Sequence, residues 1–172
     1  ETMLESSALL IPILTTGLAP LFIWLLRTNI NAREGVSFAA GIITFGSVLT
    51  FVPPVLRGEV LVYPLFVILP GIEVKFCADG LGLIFALVAS FLWILATAYN
   101  IGYMRSLKEH AQTRYYFCFA VAIFGAVGVA MAANVFTLYL FYEVITVFTY
   151  PLVAHHQDAE AYHGARKYLV YL

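Results

Sequence analysis

Five apolar runs of roughly twenty residues each constrain this chain before any other feature does, because that is the length a helix needs to cross the hydrocarbon core of a bilayer. They cover residues 7–26, 36–56, 79–103, 115–133 and 135–154, and a sixth begins at 159 and is still apolar at Leu172. Composition closes off the alternative of a soluble domain. Hydrophobic residues make up 62% of the chain, charged residues 11%, and the mean hydropathy is +0.91. A water-facing surface draws on about 25% charged residues, a supply this chain does not have. The expected fold is therefore an all-α integral membrane protein: a polytopic bundle of five full spans and the start of a sixth, with the lipid bilayer as its solvent. The net charge of −1 offers no footprint for nucleic acid.

The breaks between the runs carry their own chemistry. The first run stops at Arg27 and is followed by a polar turn over 29–34. It is too long and too rich in proline for a typical cleavable signal. Pro53 and Pro54 remove backbone donors near the end of the second run, so a kink or stop is expected there. Residues 60–76 are apolar but interrupted by Pro64, Pro70 and Gly71. The order Leu69-Pro70-Gly71-Ile72 suits a type II turn. Beyond it Ile72, Val74 and Phe76 alternate with Glu73 and Lys75, the period of a strand. A β-hairpin over 60–76, lying outside the membrane between the second and third spans, is the expectation. Asp79 reads as the N-cap of the third span. A polar loop covers 104–114, Asn134 alone separates the fourth and fifth spans, and Asp158 reads as the N-cap of the sixth. Because that helix stops within an apolar stretch, the chain reads as part of a longer or split protein. No internal repeat is visible within it.

Lysine and arginine orient the spans. The loops after spans one, three and five hold Arg27, Arg33, Arg105, Lys108, Arg114, Arg166 and Lys167, seven residues, against Arg57 and Lys75 on the other side. The positive-inside rule puts the first set in the cytoplasm. The N-terminus and the hairpin then lie on the extracytoplasmic side of the cell's inner (plasma) membrane.

The residue that most resists a structural explanation is Glu143, in the middle of the fifth span within Leu138-Tyr139-Leu140-Phe141-Tyr142-Glu143-Val144-Ile145. A carboxylate at mid-bilayer costs about 2.5–3.5 kcal/mol on insertion scales. Desolvation holds a proton on such a group and a nearby cation removes it, which is what a proton relay needs. The alternative is a protonated glutamate bonded to a neighbouring helix. Tyr139, Thr146 and Tyr150 stand at −4, +3 and +7 from it, a polar stripe suited either to carrying a proton or to hydrogen bonds between helices. Glu160, His163 and Lys167 share one face of the sixth helix and, with His155 and His156, form a candidate proton entry route. The alternative there is a solvated helix end with a snorkelling lysine. These histidines match no familiar metal-ligand spacing. Cys77 lies outside the apolar runs and Cys118 inside one, so a mutual disulfide is not expected, and neither sits in a zinc or redox motif. Ala122, Ala126 and Ala130, with Gly125 and Gly128, mark the fourth span as a close-packing face. No phosphate-binding loop, dinucleotide fingerprint or nucleophile elbow is present.

Three stretches resemble the N-terminal part of the antiporter-like subunits shared by Mrp-type sodium/proton antiporters, respiratory complex I and membrane-bound hydrogenases. They are Phe76-Cys77-Ala78-Asp79-Gly80-Leu81-Gly82-Leu83, then 99–104, and above all Leu140-Phe141-Tyr142-Glu143-Val144-Ile145-Thr146 followed by Thr149-Tyr150-Pro151-Leu152-Val153. The resemblance implies that Glu143 is the family's key glutamate and moves protons, or exchanges sodium for protons, against a lysine on a helix beyond this sequence. Lys167 is not that lysine. It further implies a subunit that holds no cofactor and is not catalytic by itself. Such a subunit works beside other membrane subunits of a redox-driven translocase of the NADH:quinone oxidoreductase or hydrogenase type, or of an antiporter. A different class of reading is a non-conducting scaffold subunit of such a complex.

Overall fold

A computed structural model describes residues 2–106, 111–154 and 159–171. A strand β1 (Thr2–Glu5) leads through a single 3-10 turn, Ser7–Leu9, into α1 (Leu10–Leu25). Then come α2 (Ile30–Leu49), the short α3 (Val52–Leu56), strands β2 (Glu59–Leu69) and β3 (Ile72–Ala78), α4 (Gly80–Ser106), α5 (Gln112–Ala130), α6 (Val135–Val153) and α7 (Ala159–Tyr171). Five helical stretches are long and apolar enough to cross a membrane: 7–25, 30–56, 80–106, 112–130 and 135–153. The chain is a polytopic membrane bundle.

Several boundaries differ from the sequence reading: the loop expected over 104–114 is shorter, since α4 runs on to Ser106 and α5 begins at Gln112. Residues 30–34 are not a polar turn but the first turns of α2, capped by the Asn29 side chain, which accepts from the Ala32 N–H at 3.2 Å. The polar residues that looked like loop are helical because they meet polar partners on α4 and α5. The second span breaks at Thr50–Phe51, and α3 then carries Pro53 and Pro54 within its first turn, where a missing N–H costs nothing.

The strands form one sheet in the order β1-β2-β3, with β1 parallel to β2 and β2 antiparallel to β3. The turn between β2 and β3 places Gly71 at φ +89°, a conformation only glycine adopts freely. Pro64 sits beside a register shift, which accommodates its missing donor. The parallel partner β1 has no short-range signature and is absent from the sequence reading. Beyond β3 the sheet continues onto the α5–α6 turn. The Cys77 N–H donates to the Met131 carbonyl at 2.8 Å, and the Ala133 N–H to the Lys75 carbonyl at 2.9 Å. Asn134 caps α6 by accepting from the Thr137 N–H and donates from its amide to the Glu73 carbonyl. The sheet is thus stitched to one end of the bundle.

Under that end lies the larger core cluster, built from Leu9, Ile13, Val48, Phe51, Phe76, Val127, Met131 and Phe141 among others. A smaller one near the opposite end joins Ala19, Ile23, Ala40, Trp93, Tyr116 and Ala120. Helices α5 and α6 meet through glycine rather than through the alanine series. A Cβ on Gly128 would run into the Phe141 ring, and one on Gly125 would lie 2.6 Å from the Ile145 side chain. Ala122, Ala126 and Ala130 are only half-buried, so the close approach belongs to the two glycines.

Candidate functional site

Glu143 occupies the ninth position of α6, about 12 Å along a helix of 19 residues. The Phe141 and Ile145 side chains on either side of it face α5. A residue two positions from each points away from that contact. Glu143 is accordingly half-buried within this chain rather than enclosed. Tyr139 stands one turn earlier on the same side of the helix. Tyr139 is itself 60% exposed. None of the ion pairs among the described residues involves Glu143.

The polar stripe divides. Tyr139 joins Glu143 on the outward side. Thr146 is buried and donates to the Tyr142 carbonyl of its own helix at 3.1 Å, and Thr149 does the same to Ile145 at 2.7 Å. Tyr150 is half-buried, and no bond joins it to Glu143 among the described residues. Helix α6 is also the least covered of the five long helices, with 17% of its apolar window buried against 28–39% for the others. Val135, Leu138, Tyr139, Leu140, Val147 and Val153 are exposed on it. The candidate site is a half-buried carboxyl group at mid-helix, with an exposed phenol one turn before it on the same side.

The proposed entry route is only partly visible. His155, His156 and Asp158 lie outside the described residues, as do Lys108 and the side chain of Glu160. His163 and Lys167 are exposed on α7, which packs against α6. Among the described residues no group of three His, Cys, Asp or Glu could hold a metal ion. Asp79 accepts from the Gly82 N–H at 2.7 Å, closing the first turn of α4. Next to it Cys77 is half-buried, and its thiol is pushed above the ordinary range, first by burial and then by the Asp79 charge, against a smaller opposite effect of Lys75.

A second polar centre lies where the sequence reading placed a loop. Arg33 and Glu34 of α2 are 3% and 2% exposed. The Arg105 guanidinium, from the end of α4, grips both Glu34 carboxylate oxygens and donates to the Asn31 side chain at 2.7 Å. Arg33 donates to Thr113 at 2.9 Å and to Gln112 at 3.0 Å on α5, stands 3.8 Å from Glu34, and stacks over the Tyr116 ring at 5.1 Å. Ser37 and Thr97 pair one turn further in, at 3.3 Å. Helical periodicity held the missed signal: Arg33, Glu34, Ser37, Gly41 and Thr44 follow one another at helical spacing and are all buried. The centre sets two guanidinium groups against one carboxylate and ties three helix ends together.

The class these features define is a polytopic membrane protein with an acid inside an apolar helix bundle. Comparison with known proteins narrows it. No family model matches the chain. By sequence it is 33% identical over 102 residues to the Na(+)/H(+) antiporter subunit A1 of Staphylococcus aureus, in strain JH9 and again in strain Newman. That match takes in 58% of this chain and 12% of the antiporter subunit, so the matched stretch spans about an eighth of that relative's length. By structure the chain superposes on a chain of the membrane-bound sulfane sulfur reductase, an archaeal respiratory membrane complex, with a TM-score of 0.79 at 20% identity. The superposition covers 95% of this chain and 25% of that one. A chain of the Mrp complex from Dietzia sp. DQ12-45-1b gives 0.62 at 23% identity, covering 86% and 27%. The resemblance to the antiporter-like subunits, first visible around Glu143, therefore holds in sequence and in fold.

Proposed function

We propose that this chain forms part of an antiporter-like subunit that moves protons, or exchanges sodium for protons, across the membrane beside other subunits of a complex, with Glu143 as the group that holds and releases the ion. The observation that supports this reading is an acid, Glu143, midway along an apolar span, turned away from the α5 contact on the least covered of the long helices and one turn from Tyr139. A carboxylate is kept at such depth only against a compensating partner or task. A phenol stabilises either charge state, and an outward face leaves room for a basic side chain of a neighbouring helix to lower the proton's hold. Helix α6 then acts as the wall of an ion path completed by other helices.

In the orientation favoured by the basic residues, the Arg33–Glu34–Arg105 end is cytoplasmic. The sheet and the N-terminus then lie on the extracytoplasmic side of the plasma membrane. The test is Glu143→Gln in the assembled complex, reconstituted into vesicles. We expect proton or sodium flux to fall to background while the subunits still co-purify. Wild-type flux from that variant would overturn the reading and leave a scaffold subunit, whose deletion disrupts assembly.

A further inference from the structure

Buried polar atoms without a hydrogen-bond partner are rare in folded proteins. Among the described residues, Arg33 Nε, the Thr44 hydroxyl, the Trp93 indole N–H and the Tyr116 hydroxyl are such atoms. None of the four residues is more than 3% exposed. They belong to three helices that pack on one another, α2, α4 and α5.

Contacts along α2 and α4 fix an antiparallel register and place these atoms in depth. Glu34 meets Arg105, Ser37 meets Thr97 at 3.3 Å, Gly41 packs on Ile94, and the Phe45 ring lies 5.7 Å from that of Phe91. Thr44 and Trp93 are therefore close in depth, each at or next to the midpoint of its span, 30–56 and 80–106. Tyr116 shares a core cluster with Trp93 and lies under the Arg33 guanidinium, 5.1 Å from the ring centre. From Arg33 to Thr44 the polar seam reaches about 16 Å into the bundle, at 1.5 Å of rise per residue. One end is the Arg33–Glu34–Arg105 centre, where Arg105 is half exposed. At the other end both helices turn apolar: Val48 is the next buried residue on α2, and Ala86 and Leu83 follow Ser90 on α4. The seam is blind.

The orphan atoms select what it can hold. The Trp93 and Arg33 N–H groups only donate, so their partner must accept. A bare cation cannot accept, and hydrocarbon offers nothing. An anion would share the seam with the Glu34 carboxylate and, at Thr44 and Trp93, would lie far from Arg33. Water accepts and donates, and serves N–H groups and hydroxyls alike.

We propose that the α2–α4–α5 seam binds a short file of internal water molecules, running from the Arg33–Glu34–Arg105 centre to Thr44 and Trp93 and closed there by Val48 and Ala86. The file brings water to mid-membrane depth without passing it across. It is separate from Glu143 and does not depend on which ion moves.

X-ray radiolysis of the assembled complex tests this, since hydroxyl radicals form where water is and oxidise the side chains beside it. Oxidation sites are read by mass spectrometry. Tyr116 and Trp93 should oxidise faster than Met131, which is 1% exposed and readily oxidised but lies in the larger apolar core. Rates no faster than that of Met131 overturn the proposal. Thr44→Val and Tyr116→Phe each remove a hydroxyl and keep its shape. A hydroxyl bound to water stabilises, so both variants should lower the thermal midpoint of the complex and slow oxidation at Trp93. A dry orphan hydroxyl is a burden, so a raised midpoint in both variants overturns the proposal. If neither variant assembles, the wild-type oxidation rates decide it.

Discussion

Glu34 and Glu143 are two acids of one membrane protein with opposite surroundings. Glu34 is almost fully enclosed, gripped by Arg105, and stands 3.8 Å from Arg33 at the helix ends. Glu143 sits at mid-helix, half-open, with the Tyr139 phenol one turn away and no ion pair among the described residues. A carboxylate gripped by guanidinium groups from a neighbouring helix end serves as a tie between helices. One with no cation beside it among the described residues leaves its open side to whatever approaches. Under the proposed function, burial alone does not mark the working acid, because the more buried of the two is the one that ties helices together.

The comparison breaks first at Glu143. Glu143→Gln should reduce ion flux to background, whereas Glu34→Gln should leave flux per assembled complex near wild type. Parallel vesicle assays decide this, and equal losses would erase the distinction. The next largest effect is on stability. Glu34→Ala leaves Arg33 buried opposite no anion, and removing one partner of a buried pair costs about 3–5 kcal/mol. Because Arg105 is half exposed, the lower figure is expected, read as a lower midpoint in detergent or thermal unfolding. Gly128→Ala drives a methyl into the Phe141 ring and should cost about 1–3 kcal/mol by overpacking. It also tilts α6 against α5, so its flux should fall with its stability, in contrast to Glu34→Ala. Tyr139→Phe removes the hydroxyl one turn from Glu143; if it bonds the carboxyl when the ion path is complete, its loss is about 1 kcal/mol and should change flux about fivefold and shift its pH profile. A profile identical to wild type would deny Tyr139 its part. The smallest effect concerns Cys77. With its thiol raised by burial, the reactive thiolate is scarce at neutral pH, so maleimide labelling should rise with pH through a midpoint above the roughly 8.5 of a free cysteine. Labelling at a free thiol's rate would show that β3 is not packed as described.

Much of this was legible along the chain because it is local. Apolar length marks the spans, since the bilayer reads hydropathy one helix at a time. The Pro70-Gly71 turn and the Asp79 cap each use side chains within three residues of their targets. Glu143 stands out because charge in a greasy run needs no partner to be noticed.

What the tertiary structure alone decided is which polar residues meet. Arg33 and Glu34 read as loop because their partners Arg105, Gln112 and Thr113 lie more than seventy residues away. Strand β1 is too short to announce itself without β2 beside it. The glycines, not the alanines, carry the α5–α6 contact because the Phe141 ring needs the space of a missing Cβ. The sequence by itself chose the solvent and the helices. Packing chose the faces, and with them which acid is tied down and which is left open.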